Sequence, residues 1–247
     1  MQVITNEKLI RNRARLGRWT SFAGLGILIL GLVASLFVQK WLLVSFGCLI
    51  VGFLLSRVGI YNANRWIKEP RADQTLDKIL KGFDDRYYLY NYVLPAPHVL
   101  LAPFGLCVIK PRDQGGKIRC EGERWHREFS WRRLLRLFGQ ERLGNPTREV
   151  RAEVEALRRF LVQRLPDLVL SPSMELRTSS AEVEEVPIEG LVAFINPQVD
   201  LQAENPAVPV LNGRQLKLFL RNLSKERPIP GSQRKQLAEV LAGEATE

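Results

Sequence analysis

Two uncharged apolar runs, placed almost back to back, constrain this chain of 247 residues more than any other feature. The first is TSFAGLGILILGLVASLFV, the 19 residues from Thr20 to Val38. After Gln39 and Lys40 a second run extends from Trp41 to Ser56 and continues past Arg57 to Ile60. A helix needs about 20 apolar residues to cross a hydrocarbon core about 30 Å thick. The runs therefore predict a transmembrane helical hairpin over residues 20–60, with helices at about 20–38 and 41–60 and Arg57 snorkelling to the interface. A buried hairpin of a soluble protein is one competing reading. A cleaved signal peptide ending near Val33-Ala34-Ser35 is another, and the second apolar run argues against both. Gly31 with Ser35, and Gly52 with Ser56, are small-xxx-small pairs suited to close helix approach. The polar residues singled out within the hairpin (Ser21, Ser35, Ser45 and Cys48) carry no formal charge, so it does not read as a transport path.

The flanks set an orientation. Lys8, Arg11, Arg13, Arg15 and Arg18 precede the first helix, Arg57, Arg65, Lys68 and Arg71 follow or end the second, and Lys40 stands alone at the tip. The positive-inside rule then predicts an integral membrane protein with both termini in the cytoplasm. Residues 1–19 read as a basic cytoplasmic segment and residues 61–71 as a basic connector. The net charge of +10 could suggest nucleic acid. From Asp73 to Glu247, however, there are 26 Lys and Arg against 24 Asp and Glu, a net of +2, so most of the excess belongs to the membrane flanks. Cys48, Cys107 and Cys120 lack metal-ligand spacing and read as reduced structural thiols.

The remainder alternates strands and helices. Ala72 to Gly82 predicts a helix with Leu76, Ile79 and Leu80 on one face. Arg86 to Leu94 suits a strand. Its tyrosines (Tyr87, Tyr88, Tyr90 and Tyr92) could stack bases, but without a basic face between them sheet packing is the better reading. Ala96 to Trp125 reads as two buried strands, built on Val99–Leu101 and Leu106–Ile109 around a Pro-Phe-Gly turn, then a Gly-Gly turn and a third strand. Trp131, Leu134, Leu135 and Phe138 fall at helical spacing, with Arg132, Arg133 and Arg136 on other faces. Lys110 to Arg142 carries ten basic and five acidic residues, so this segment could dock on an anionic membrane surface, pack on the domain or touch nucleic-acid phosphates. Asn145-Pro146-Thr147 opens a long helix to Leu165 with Val150, Val154, Leu157, Phe160 and Leu161 buried. Short strands at 168–170 and 208–211, a core strand at 186–196, and helices at 213–222 and 231–242 complete the pattern. His98 and His126 read as structural or exposed.

The strand–turn–strand of Ala96–Trp125 resembles the core of the nuclease-related domain (NERD) family, a branch of the restriction-endonuclease-like fold. The resemblance spans roughly Arg71 to Asn222 in element order. It implies an α/β fold with a mixed sheet flanked by helices, a NERD-like domain over residues 72–225 and a C-terminal helix or tail over 226–247. In the family the first strand opens with an Asp and the second carries Glu-x-Lys. The matching positions here hold Pro97, Lys110 and Arg112. The family's helix before the sheet supplies a further acid, for which Asp73 and Asp77 are the candidates. Its later helix often presents a Gln, where Glu149 or a neighbour stands here.

Such nucleases hold Mg²⁺ on acidic side chains, with a Lys to position the attacking water. Pro97 offers no ligand, and Lys110 puts a cation where a metal ligand would sit. Arg112 keeps the positive charge but is a poor proton acceptor. A one-residue slip would make His98 and Asp113 a surrogate pair, with Asp73 and Asp77 as further surrogate candidates. The leading expectation is a pseudoenzyme: a membrane-anchored, non-catalytic NERD-like domain acting in binding or scaffolding. The alternatives are a Mg²⁺-dependent nuclease with displaced ligands, and a membrane assembly factor acting through the hairpin on another membrane protein. No cofactor and no small-molecule substrate is identified.

Overall fold

The computed structural model describes residues 1–37, 42–128, 143–164, 170–172 and 186–244. They fall into two units, one of residues 1–6, 72–128 and 143–244, the other of residues 7–71.

The first unit is built on a mixed sheet whose order is β1 (Gln2–Thr5), β2 (Tyr88–Asn91), β3 (His98–Ala102), β4 (Gly105–Arg112), β8 (Val186–Phe194) and β10 (Val210–Asn212). β3 runs antiparallel to both neighbours, whereas β1 is parallel to β2, and β4, β8 and β10 are parallel to one another. β7 (Leu170–Pro172) pairs with the start of β8. A separate three-stranded sheet joins β6 (Arg124–Arg127), β5 (Gly116–Glu121) and β9 (Val199–Glu204).

Side chains alternate across the main sheet and build two cores. On one face Val99, Leu101, Leu106, Val108, Ile188 and Val192 meet Val150, Leu157 and Leu161 of α4 (Pro146–Arg164) and Leu237 and Leu241 of α6 (Gly231–Glu244). On the other face Leu100, Cys107, Ile109 and Leu191 meet Leu76 and Leu80 of α3 (Ala72–Leu80) and Leu216 and Leu220 of α5 (Gly213–Glu226). A sheet covered on both faces needs strands apolar on both sides, which is why β3 and β4 read as continuous apolar runs. Gly105 closes the turn between them with φ +117°, and a Cβ there would lie 2.5 Å from the Pro187 carbonyl oxygen. The unit is thus mixed α/β, with helices on both sheet faces.

Several elements differ from expectation. Residues 2–5 form an edge strand rather than a loose basic segment, with the Gln2 amide donating to the Tyr87 carbonyl at 2.9 Å. The tyrosine strand is shorter than 86–94, because Tyr92 takes φ +59° and its amide donates to the Pro97 carbonyl at 2.7 Å. Tyr87, Tyr90 and Tyr92 are buried. The third strand of Ala96–Trp125 joins the small sheet, not the main one. The connector at 61–71 continues the second apolar helix, α2 (Leu42–Asn62), into a π-helical turn, Ala63–Ile67, that buries Trp66. The terminal helix expected at 231–242 is present as α6 and packs Leu237 and Leu241 into the core. Asn145 caps α4 as expected, accepting from the Arg148 amide at 3.1 Å.

The second unit is a hairpin of α1 (Glu7–Phe37) and α2 (Leu42–Asn62), both long and apolar enough to cross a membrane. Gly17, Gly24 and Gly31 recur every seven residues on α1 and meet Asn62, Ser56 and Cys48. Gly52 and Gly59 of α2 meet Leu28 and Ser21 in the same way. A Cβ on Gly24 would lie 2.7 Å from the Ser56 amide nitrogen, so only glycine permits this approach. Ser45, buried one heptad before Gly52, donates its hydroxyl to the Gly31 carbonyl at 2.6 Å. The repeat on α1 is therefore seven residues. Of the expected pairs, Gly52 and Ser56 both lie against Gly24, whereas Gly31 takes part without Ser35, which is exposed. Among the described residues, every exposed large apolar side chain except Val3, Val162 and Leu218 lies between Leu16 and Ile67.

Gly24→Leu is expected to destabilise the hairpin by about 1–3 kcal/mol through overpacking. Gly26→Leu, which places its side chain where nothing lies within 4 Å, is expected to leave it unchanged. Thermal unfolding of the full chain in lipid nanodiscs checks both.

Candidate functional site

β4 is apolar up to Ile109 and then changes character at Lys110-Pro111-Arg112. The Arg112 carbonyl accepts from the Ile195 amide at 2.9 Å. Pro111 therefore faces the edge that β3, paired only as far as Val108, leaves open to a residue without an N–H. Lys110 and Arg112 are two residues apart and share the face of Val108, beneath α4. That helix approaches closely because the strand beside β4 carries Gly190, where a Cβ would lie 2.9 Å from Val154 Cγ2. Glu149 and Glu153, one helical turn apart, then point at the two cations.

The four side chains form one ion-pair cluster. Lys110 Nζ lies 2.5 Å from Glu153 Oε1 and 3.1 Å from Glu149 Oε2, and Arg112 Nη2 lies 2.5 Å from Glu149 Oε1. Their formal charges cancel. The side chains of Lys110, Glu153 and Arg112 are 15%, 17% and 7% exposed, whereas Glu149 is 41% exposed. Partial burial pushes the Glu149 carboxyl up, but Arg112 and Lys110 outweigh it and hold the group below its ordinary value. A depressed carboxyl supports the fold above its unfolded pKa, and that support is lost as the pH falls through the lower folded value. Arg112 Nε and Glu153 Oε2 are buried with no protein partner.

The other anticipated positions are dispersed. Pro97 is half-buried and contributes its carbonyl to Tyr92. His98 is buried, with Nδ1 2.8 Å from Asn91 Oδ1 and its ring edge-on to Tyr92. Asn91 Nδ2 donates to Thr5 Oγ1 at 3.2 Å, so Oδ1 accepts and His98 Nδ1 carries the hydrogen. Asp113 is exposed and accepts from Asn196 Nδ2, at 3.0 Å on its carbonyl and 3.3 Å on its carboxylate. Since Val99 pairs with Val108, His98 and Asp113 stand roughly 13 Å apart along the strands at 3.3 Å per residue. The surrogate metal pair is therefore not brought together. Asp73 is buried and Asp77 exposed on α3, which packs on the sheet face opposite α4. Trp131, Arg132, Arg133, Leu135, Arg136 and Phe138, the anticipated membrane-surface helix, lie outside the described residues.

Among the described residues no group of three or more His, Cys, Asp or Glu side chains could hold a metal ion. Burial pushes the Cys107 thiol up, leaving it un-ionised and inert. Burial likewise raises the Glu189 carboxyl, partly offset by Arg227 at 3.9 Å. A cleft of about 400 Å³ opens at the carboxyl ends of β8 and β10, walled by Ile79, Phe194, Asn196, Asn212, Arg214 and Lys217. Glu153 is the residue that sequence reasoning missed. Its signal was the four-residue spacing from Glu149 on a helix facing a Lys-x-Arg strand.

Comparison with family models, curated proteins and solved structures finds no match to this chain.

Lys110→Met is expected to destabilise the fold by about 3 kcal/mol, because it leaves Glu153 charged without its closest partner. Adding Glu153→Leu is expected to recover much of that loss. Denaturant titration of the two variants against the parent checks the coupling.

Proposed function

We propose that this chain is a membrane-anchored, non-catalytic binding or scaffolding domain derived from a restriction-endonuclease-like, NERD-type ancestor. The observation that carries the reading is the ion-pair cluster. The strand positions that would hold the family's Glu-x-Lys carry Lys110 and Arg112, and both are neutralised by Glu149 and Glu153 at 2.5–3.1 Å. A divalent ion offered to those carboxylates meets two cations already in place. To bind, it would have to displace an ammonium and a guanidinium into a protein interior where unpaired charge is strongly disfavoured. The order helix, antiparallel three-strand meander, helix, parallel strand (α3, β2–β4, α4, β8) agrees with the element order the resemblance implies.

The hairpin supports the anchoring half of the proposal. Its outward surface is apolar, and its inner faces are closed by the glycine repeat, leaving no polar path between the helices. It is inserted between β1 and α3, two elements of the same α/β unit. Both of its ends therefore return to the same side of the bilayer, and the basic flanks make that side the cytoplasm. Cleavage within the hairpin would remove an edge strand from the sheet, which argues against a signal-peptide role.

Full-length protein in nanodiscs is expected to leave single- and double-stranded DNA and RNA uncut in Mg²⁺ or Mn²⁺. Cutting that Glu149→Gln or Asp113→Ala abolishes would overturn the proposal. For orientation, alkaline phosphatase fused to either terminus is expected to stay inactive in cells; activity at either end would refute the assigned topology.

A further inference from the structure

Arg57 and Tyr61 of α2 and Arg65 of the π-helical turn follow one another at four-residue spacing along one side of the hairpin. Arg65 Nη1 donates to the Tyr61 hydroxyl at 3.0 Å, and the Arg65 guanidinium also lies 5.2 Å from the Trp66 ring centroid. Arg57 is exposed, and among the described residues its side chain makes no hydrogen bond or ion pair. Phe53, Leu54 and Ile60, each within a turn of Arg57, are exposed as well.

The helix contacts fix the depth of this row. Gly24 meets Ser56, Ser21 meets Gly59 and Gly17 meets Asn62. By that register Trp19 stands level with Tyr61, Arg15 with Arg65, and Arg57 with Ala23. Trp19 and Tyr61 are 70% and 50% exposed at one level, as aromatic side chains are at a membrane–water boundary. Arg57 lies four residues deeper, roughly 6 Å into the apolar span. A guanidinium at that depth snorkels toward the headgroup layer, where phosphates supply the counter-charge. The acidic residues between Glu7 and Arg71 are Glu7 and Glu69, at the outer limits of the segment.

We propose that Arg57, Tyr61 and Arg65 bind the phosphate of an anionic phospholipid in the leaflet beside the basic flanks. The inference rests on the membrane-spanning reading of the hairpin. The Arg57 guanidinium presents a planar fork that matches two phosphate oxygens. The Tyr61 oxygen already accepts from Arg65, which leaves its O–H free to donate outward. Arg57 and Arg65 bring two positive charges to this row, and Glu7 and Glu69 lie outside it. That surplus favours a headgroup of net negative charge over a zwitterionic one.

Native mass spectrometry of the full chain, released from nanodiscs of equimolar phosphatidylglycerol and phosphatidylcholine, tests this. Bound phosphatidylglycerol is expected to exceed phosphatidylcholine, and Arg57→Gln with Arg65→Gln is expected to lower its retention about tenfold. Arg57→Lys is expected to retain part of it, and Arg11→Gln with Arg13→Gln nearly all. Equal retention of the two lipids, retention untouched by the Arg57 and Arg65 changes, or an equal loss from the Arg11 and Arg13 changes would overturn the site. Failure of the parent chain to insert into the nanodiscs would instead refute the membrane reading beneath it.

Discussion

Two cations on the central strand of a covered sheet cannot stay unpaired, and that requirement organises the α/β unit. Lys110 and Arg112 leave the apolar pattern of β4 where α4 crosses it. Desolvating them is tolerable only because Glu149 and Glu153 arrive one helical turn apart on the facing helix. The glycine at position 190 brings that helix close enough. Strand, helix register and neighbouring glycine thus form one device, and a change in any of them exposes a buried charge. On the proposed reading, the same device keeps metal chemistry out of the unit. Carboxylates committed to an ammonium and a guanidinium are not free to hold a divalent ion.

The hairpin obeys a different constraint. Its helices meet through backbone contact at a seven-residue glycine repeat, with the buried Ser45 hydroxyl bonded across to the Gly31 carbonyl. Because the chain enters the hairpin from β1 and leaves it toward α3, the hairpin is an insertion in the sequence of the α/β unit. On the proposed reading, a tethered domain of this kind serves by holding a surface at the membrane, not by turning over a substrate.

Much of this architecture was legible in the sequence, for physical reasons that differ by element. The apolar runs of α1 and α2, the buried strands β3 and β4, and the capped start of α4 all follow from period, length and capping chemistry. β1, β6 and β9 were not legible. QVIT, RWHR and VDLQAE are short edge or small-sheet strands whose pairing comes from distant partners, not from local pattern. The site was half legible. Lys110 stood out because an acid was expected there, Arg112 because it stands at the family's Lys, and Glu149 because of its helix. That Glu153 joins them depends on the approach of α4 to β4, which its four-residue spacing from Glu149 does not fix alone. The pairing of His98 with Asp113 failed because register along antiparallel strands separates them, whatever their chemistry.

The central claim is that the carboxylates over β4 are already occupied by the protein's own cations. Isothermal titration of Mn²⁺ into the full-length protein in nanodiscs at neutral pH tests it most directly. No saturable heat of binding is the expected result. Saturable binding that Glu149→Gln or Glu153→Gln abolishes would contradict it and return the domain to metal chemistry.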